Sequence, residues 1–228
     1  MHIEPGIVDS AKIGLSYVTA AVAIMGVAKA SFSNIKKTNP LTFLVKSVAT
    51  TALVFTFFQV LPHYSVGVSE VHFILGSTLF LLFGLAPASI GLALGLLIQG
   101  AFFAPIDLPQ YGMNVTTLLI PLMALSYVAN KTITKDTPYI KLKYAQVLKL
   151  SLVYQAGIVG WVTFWAIYGQ GIGVENLLSI LSFGGAYMLV VLIEPLVDLG
   201  VLAIAKFSAN RFHKTTFFEK RLYNAVQA

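Results

Sequence analysis

Residues 11–30 read AKIGLSYVTAAVAIMGVAKA, and this stretch decides the fold. It carries only Lys12 and Lys29 as charges, and about 20 apolar residues are what a helix needs to cross the hydrocarbon of a bilayer. The segment is therefore a membrane span, ending in the basic, turn-forming run from Asn34 to Pro40. The same pattern recurs along the chain, giving about seven spans in all. The second covers Leu41 to Leu61, with Lys46 one turn inside its start and able to snorkel to the headgroups. The third runs from Phe73 to Leu85. The fourth leaves the Ala86-Pro87-Ala88 turn, reaches Ala104, and carries Gly91 and Gly95 at the spacing of close helix contact. The fifth ends near Asn130. The sixth covers Leu150 to Tyr168, with Trp161 and Trp165 placed as an interfacial belt. The last runs from Leu177 to Lys206, where Gly184, Gly185 and Pro195 invite a tilt or kink.

Composition agrees with this reading. Of 228 residues, 57% are hydrophobic and only 11% charged, whereas a soluble domain carries about a quarter charged. The expected class is an all-α integral membrane protein, a single membrane domain over residues 1–228. Within it fall a metal-binding segment at 1–10, a cytoplasmic linker at 131–149 lying along the membrane surface, and a basic cytoplasmic tail at 207–228. Residues 1–10 contain Glu4 and Asp9 but no basic region, so no cleavable signal is expected and Met1 is read as the mature start. Cysteine is absent, which excludes disulfides, thiolate metal sites and iron–sulfur clusters.

Orientation follows from the lysines and arginines. With the amino terminus outside and the carboxyl terminus inside, every basic residue except Lys12 falls in or beside an inward segment. The outward loops near 62–72, 105–113 and 169–176 contain none, which is the positive-inside pattern. The net charge of +6 thus belongs to the inner face and its lipid, with no nucleic-acid partner expected. Met1, His2, His63, His72, Asp107 and Asn114 then meet on the outer side.

That grouping carries chemistry. A histidine directly after Met1 offers an amine, an amide and an imidazole nitrogen on one short piece of chain, able to form fused chelate rings. Such a tetragonal nitrogen array suits nickel(II), copper(II) or cobalt(II) rather than calcium or magnesium. His72, flanked by Val71 and Phe73, can turn its ring into the bundle and supply a fourth nitrogen. A solvated terminus and a helix-end histidine are the plain alternatives. Asn114, Ser69 and Gln110 are candidates to orient the imidazoles by hydrogen bonding, although Asn114 also suits a helix cap. His63 lies at the rim, and His213 belongs to the inner tail. Glu194 and Asp198, one turn apart in the last span, read as a partner-contact or helix-packing pair, or as a proton relay, because carboxylates at that depth face a cavity or a partner. No G-x-x-x-x-G-K-[ST] loop occurs, so the chain is not expected to bind nucleotide, and any ATP-driven step requires another chain.

Met1-His2-Ile3 with Pro5-Gly6, Val71-His72-Phe73-Ile74-Leu75-Gly76, Leu82-Phe83-Gly84, Gln99-Gly100 and Tyr111-Gly112-Met113-Asn114 together resemble the CbiM/NikM family. Its members are substrate-binding membrane components of energy-coupling-factor importers for cobalt and nickel. The resemblance covers the first five spans well and the last two loosely. It implies a seven-helix bundle into which the amino terminus tucks back, with the ion held through positions matching Met1, His2 and His72. It also implies a non-enzymatic, multi-pass protein of the cell inner (plasma) membrane. The expected partners are a coupling transmembrane subunit, two ATPase subunits and often a small accessory membrane protein. Glu4-Pro5-Gly6-Ile7-Val8-Asp9, and Pro105-Ile106-Asp107-Leu108-Pro109 in place of a His- and Gly-rich loop, depart from the family pattern. The competing classes are an uncoupled channel or structural membrane subunit, and a haem-binding redox protein, which would need histidines paired across the bundle interior.

Overall fold

The computed structural model describes residues 2–134 and 137–207. Met1, His213 and the rest of the basic tail lie outside the described residues.

Seven α-helices form the bundle: α1 (Gly14–Lys37), α2 (Pro40–Gln59), α3 (Gly76–Phe83), α4 (Leu85–Phe102), α5 (Tyr111–Thr132), α6 (Tyr144–Gln170) and α7 (Val174–Phe207). All but α3 are long and apolar enough to cross a membrane. The third span expected over Phe73–Leu85 is shorter than read, with 8 helical residues. Its start is delayed because the amides of Ile74 and Leu75 donate to the buried Glu194 carboxylate instead of joining a helix, and Leu75 takes a left-handed backbone, φ 53°.

α5 is the central element: every residue from Gly112 to Leu119 is buried. α1 is the peripheral one, burying only Ser16, Ala20 and Ala23, so most of its apolar surface faces outward. Between α2 and α4 the glycine expectation fits the packing. A Cβ at Gly91 would fall 2.5 Å from the Thr50 side chain, and one at Gly95 2.6 Å from Val54. Thr50 Oγ1 also donates to the Pro87 carbonyl at 2.7 Å. That bond ties a hydroxyl on α2 directly to the main chain of α4 and locks the two helices in register.

Other boundaries move. The segment at 131–149 is not a surface stretch throughout. α5 continues to Thr132 and α6 starts at Tyr144, leaving a short connection in which a 3-10 turn, Tyr139–Lys141, buries Tyr139 and Leu142. α6 begins early because Gln146 Oε1 accepts the Lys143 amide and closes its first turn. α7 continues as one 34-residue helix through Pro195. Trp165 is fully buried against Ile3, Val8 and Met113 rather than standing in an interfacial belt.

The polar loop at 62–72 is a hairpin of β1 (Tyr64–Val66) and β2 (Ser69–Val71), paired antiparallel with Ser65 opposite Glu70. Gly67, at φ 60°, makes the turn possible. The chain start lies along β2: Ile3 bridges to Ser69, the Glu70 amide donates to the His2 carbonyl at 2.9 Å, and the Glu4 amide donates to Val68 at 3.2 Å.

Candidate metal centre

Two kinds of force seat residues 2–8. Ile3 and Val8 bury their side chains with Trp165 and Met113, and the main chain pairs with β2. Polar clamps then fix the register. The Ile3 amide donates to Asn114 Oδ1 at 2.8 Å and Ser69 Oγ donates to the His2 carbonyl at 2.9 Å. Lys12 donates through Nζ to the carbonyls of Tyr168 and Gly169 at the end of α6. A cation there complements the helix dipole and occupies carbonyls that lack helical partners.

This seating puts the His2 imidazole, 3% exposed, beside that of His72, 1% exposed. Their ring centroids are 5.2 Å apart. Phe58 packs against both, and His63 stacks on His72 at 4.8 Å while remaining exposed itself. His2 Nδ1 and His72 Nε2 converge on one atom, Glu70 Oε2, at 2.6 and 2.7 Å. Donor atoms of the three residues lie within 4.8 Å of one another. Asp107 Oδ2, from the 3-10 turn Pro105–Gln110, stands 4.0 Å from His2 Nδ1.

The electrostatics follow from burial and these bonds. Burial acts to raise the Glu70 carboxyl, but the hydrogen bonds from His2 and His72 outweigh it and hold the group well below the usual carboxylate range. For His72, burial is the leading cause pushing the imidazole well below its ordinary 6.5. It is therefore neutral near pH 7, the form in which imidazole binds metals. The opposite ring nitrogens, His2 Nε2 and His72 Nδ1, are buried without hydrogen-bond partners among the described residues.

The three residues read as imidazole-orienting act elsewhere. Asn114 and Ser69 grip main-chain atoms of Ile3 and His2, because the paired strand brings those amides and carbonyls nearer than the rings. Gln110 is buried with its Oε1 unpartnered and bonds to neither imidazole. Glu194 and Asp198 are also placed differently from a partner-contact pair. Both are buried and turned towards α3. Glu194 Oε1 accepts the Ile74 and Leu75 amides at 2.5 and 3.0 Å, and its other oxygen accepts from Gln155. Asp198 accepts from Ser77 at 2.5 Å and from Thr78. The pair thus holds the strap that follows His72, much nearer the histidines than its place in the last span suggests. Glu70 was not singled out by sequence. Its spacing from His72, two residues along an extended segment, places both on one face, and that was the available signal.

Six long spans around a buried imidazole–carboxylate cluster define a multi-pass membrane protein with transition-metal donors gathered at one end. Two solved structures share the fold. One is described as a truncated transition metal transporter (TM-score 0.62, 17% identity, 91% of this chain and 97% of that one covered), the other as a transition metal transporter (TM-score 0.64, 16% identity, 95% of each chain covered). No curated protein matches the sequence. The chain belongs to the CbiM family, the cobalt uptake substrate-specific transmembrane region, whose model matches residues 2–211. It is thus a transport component for transition-metal uptake.

Proposed function

We propose that this chain is the ion-capturing component of an ATP-driven importer of cobalt(II) or nickel(II) in the cell inner membrane, with Met1, His2 and His72 as ligands. The observation that carries the proposal is the convergence of His2 Nδ1 and His72 Nε2, both on buried rings, on a single atom, Glu70 Oε2. Two imidazoles aimed at one position are a borderline-metal site, and the terminal amine is covalently next to one of them. The cation enters from outside, and His2 Nδ1 and His72 Nε2 exchange their hydrogen bonds to Glu70 for bonds to the metal, each ring then carrying its proton on the opposite nitrogen, His2 Nε2 or His72 Nδ1. Because the sequence has no phosphate-binding loop, hydrolysis falls to two separate ATPase subunits, linked through a coupling membrane subunit, with a small accessory membrane protein as a further partner.

Isothermal titration with cobalt(II) tests this reading on three proteins: the chain with its native start, one extended by several residues before Met1, and His72→Ala. Extension would push extra chain into the space where residue 2 is 3% exposed and remove the free amine. Both changes are expected to weaken binding by at least about 100-fold, as removal of a ligand exceeds the 10–100-fold loss typical of an outer partner. Equal affinity in all three would overturn the ligand assignment.

A further inference from the structure

Glu70 joins the two buried imidazoles through one carboxylate oxygen, its side chain being 21% exposed. Its main chain lies in β2 and His72 follows two residues on, one beyond the strand, so both side chains leave the extended segment on the same side. The strand is itself tied to the chain start by the Glu70 amide and the His2 carbonyl. The second carboxylate oxygen makes only a 3.5 Å contact, accepting from Ser65 Oγ. A cation bonded to both imidazoles at about 2.0–2.1 Å enters the space between two nitrogens that already stand 2.6 and 2.7 Å from Glu70 Oε2. Phe58, fully buried, packs on both imidazoles and walls that space with apolar surface. A dication held there by neutral nitrogens alone would keep its whole charge out of water, which is strongly unfavourable. A carboxylate in the donor set removes half of that charge.

Building on the assignment of Met1, His2 and His72 above, we infer that Glu70 is a further ligand of the transported ion, turning the site into a mixed nitrogen–oxygen centre with Asp107 alongside. An all-nitrogen plane favours nickel(II). An oxygen donor in the set favours the four- and five-coordinate geometries natural to cobalt(II) and zinc(II). Of the two ions proposed above, the site therefore favours cobalt(II), with nickel(II) losing the advantage a planar site would give it.

The test uses the full chain with its native start, loaded with cobalt(II) and read by visible absorption and electron paramagnetic resonance. The wild type is expected to give intense d–d bands and a high-spin signal. In Glu70→Gln those bands weaken and shift, cobalt(II) and zinc(II) affinity falls about 10–100-fold, and nickel(II) affinity falls less. A planar low-spin cobalt(II) signal in the wild type would overturn the inference without any variant. So would an unchanged spectrum and affinity in Glu70→Gln, which would leave the carboxylate as a hydrogen-bond acceptor only. Failure of the underlying histidine assignment looks different: His72→Ala would then bind cobalt(II) as tightly as the wild type.

Discussion

The Ile3 amide donates to Asn114 Oδ1 at 2.8 Å across 111 residues of sequence, so the position of the first residues is set by the central helix of the bundle. Replacing Asn114 with alanine leaves that buried amide without an acceptor, a loss of about 1–3 kcal/mol. The expected outcome is a lower melting temperature and cobalt(II) affinity reduced about 10-fold or more, measured by thermal unfolding and titration. Unchanged affinity in a folded Asn114→Ala protein would mean that the chain start is held well enough without it.

Glu194 acts on the other side of the cluster, through the strap from His72 to Leu75. Glu194→Ala strands two amide donors in the core and is expected to destabilise by more than a single lost bond, on the order of 2–5 kcal/mol. Glu194→Gln keeps an acceptor and should be milder. A reversed order in thermal unfolding would count against the strap.

Gly67 joins the hairpin to α7. A Cβ there would lie 2.1 Å from the Ser179 carbonyl at a backbone φ of 60°, so Gly67→Ala should destabilise by more than the ~0.4–1 kcal/mol that the same change gains where the backbone tolerates it. Since β2 carries Glu70, metal affinity should fall with it. Gly173→Ala, which meets open space, is the control and should change neither.

Acid should weaken the fold in two stages. The His72 imidazole is depressed in the folded protein by burial, so the unfolded chain binds more protons once pH drops below about 6.5, and stability falls with it. Glu70 is held low by its two imidazole partners despite burial, so its contribution is present above about 4.5 and is lost as pH falls further. Melting temperatures of the metal-free protein between pH 8 and pH 4 should therefore decline in both windows, and His72→Ala should remove the upper one.

Much of this architecture was legible in the sequence because membrane spans are dictated by length and apolarity, and six of the seven helices obey that rule. α3 did not, since its boundary depends on Glu194, more than a hundred residues away, accepting amides a helix would otherwise use. Trp165 was misread for a similar reason: its position near the end of α6 suits an interfacial belt, but only the folded chain start explains its burial. His2 and His72 were visible as candidates from residue type and topology. Glu70 was hidden because a polar loop and a short hairpin look alike until the pairing with residues 2–4 is known. Asn114, Ser69 and Gln110 lie in the expected region without bonding to the rings. Hydrogen bonding to the backbone of the chain start takes up the first two.

The most direct measurement is anomalous diffraction at the cobalt edge from crystals of the full chain loaded with cobalt(II). The account predicts one strong peak within bonding distance of His2 Nδ1 and His72 Nε2, in the space they now share with Glu70. A peak elsewhere in the bundle, with both imidazoles still bonded to Glu70, would contradict it.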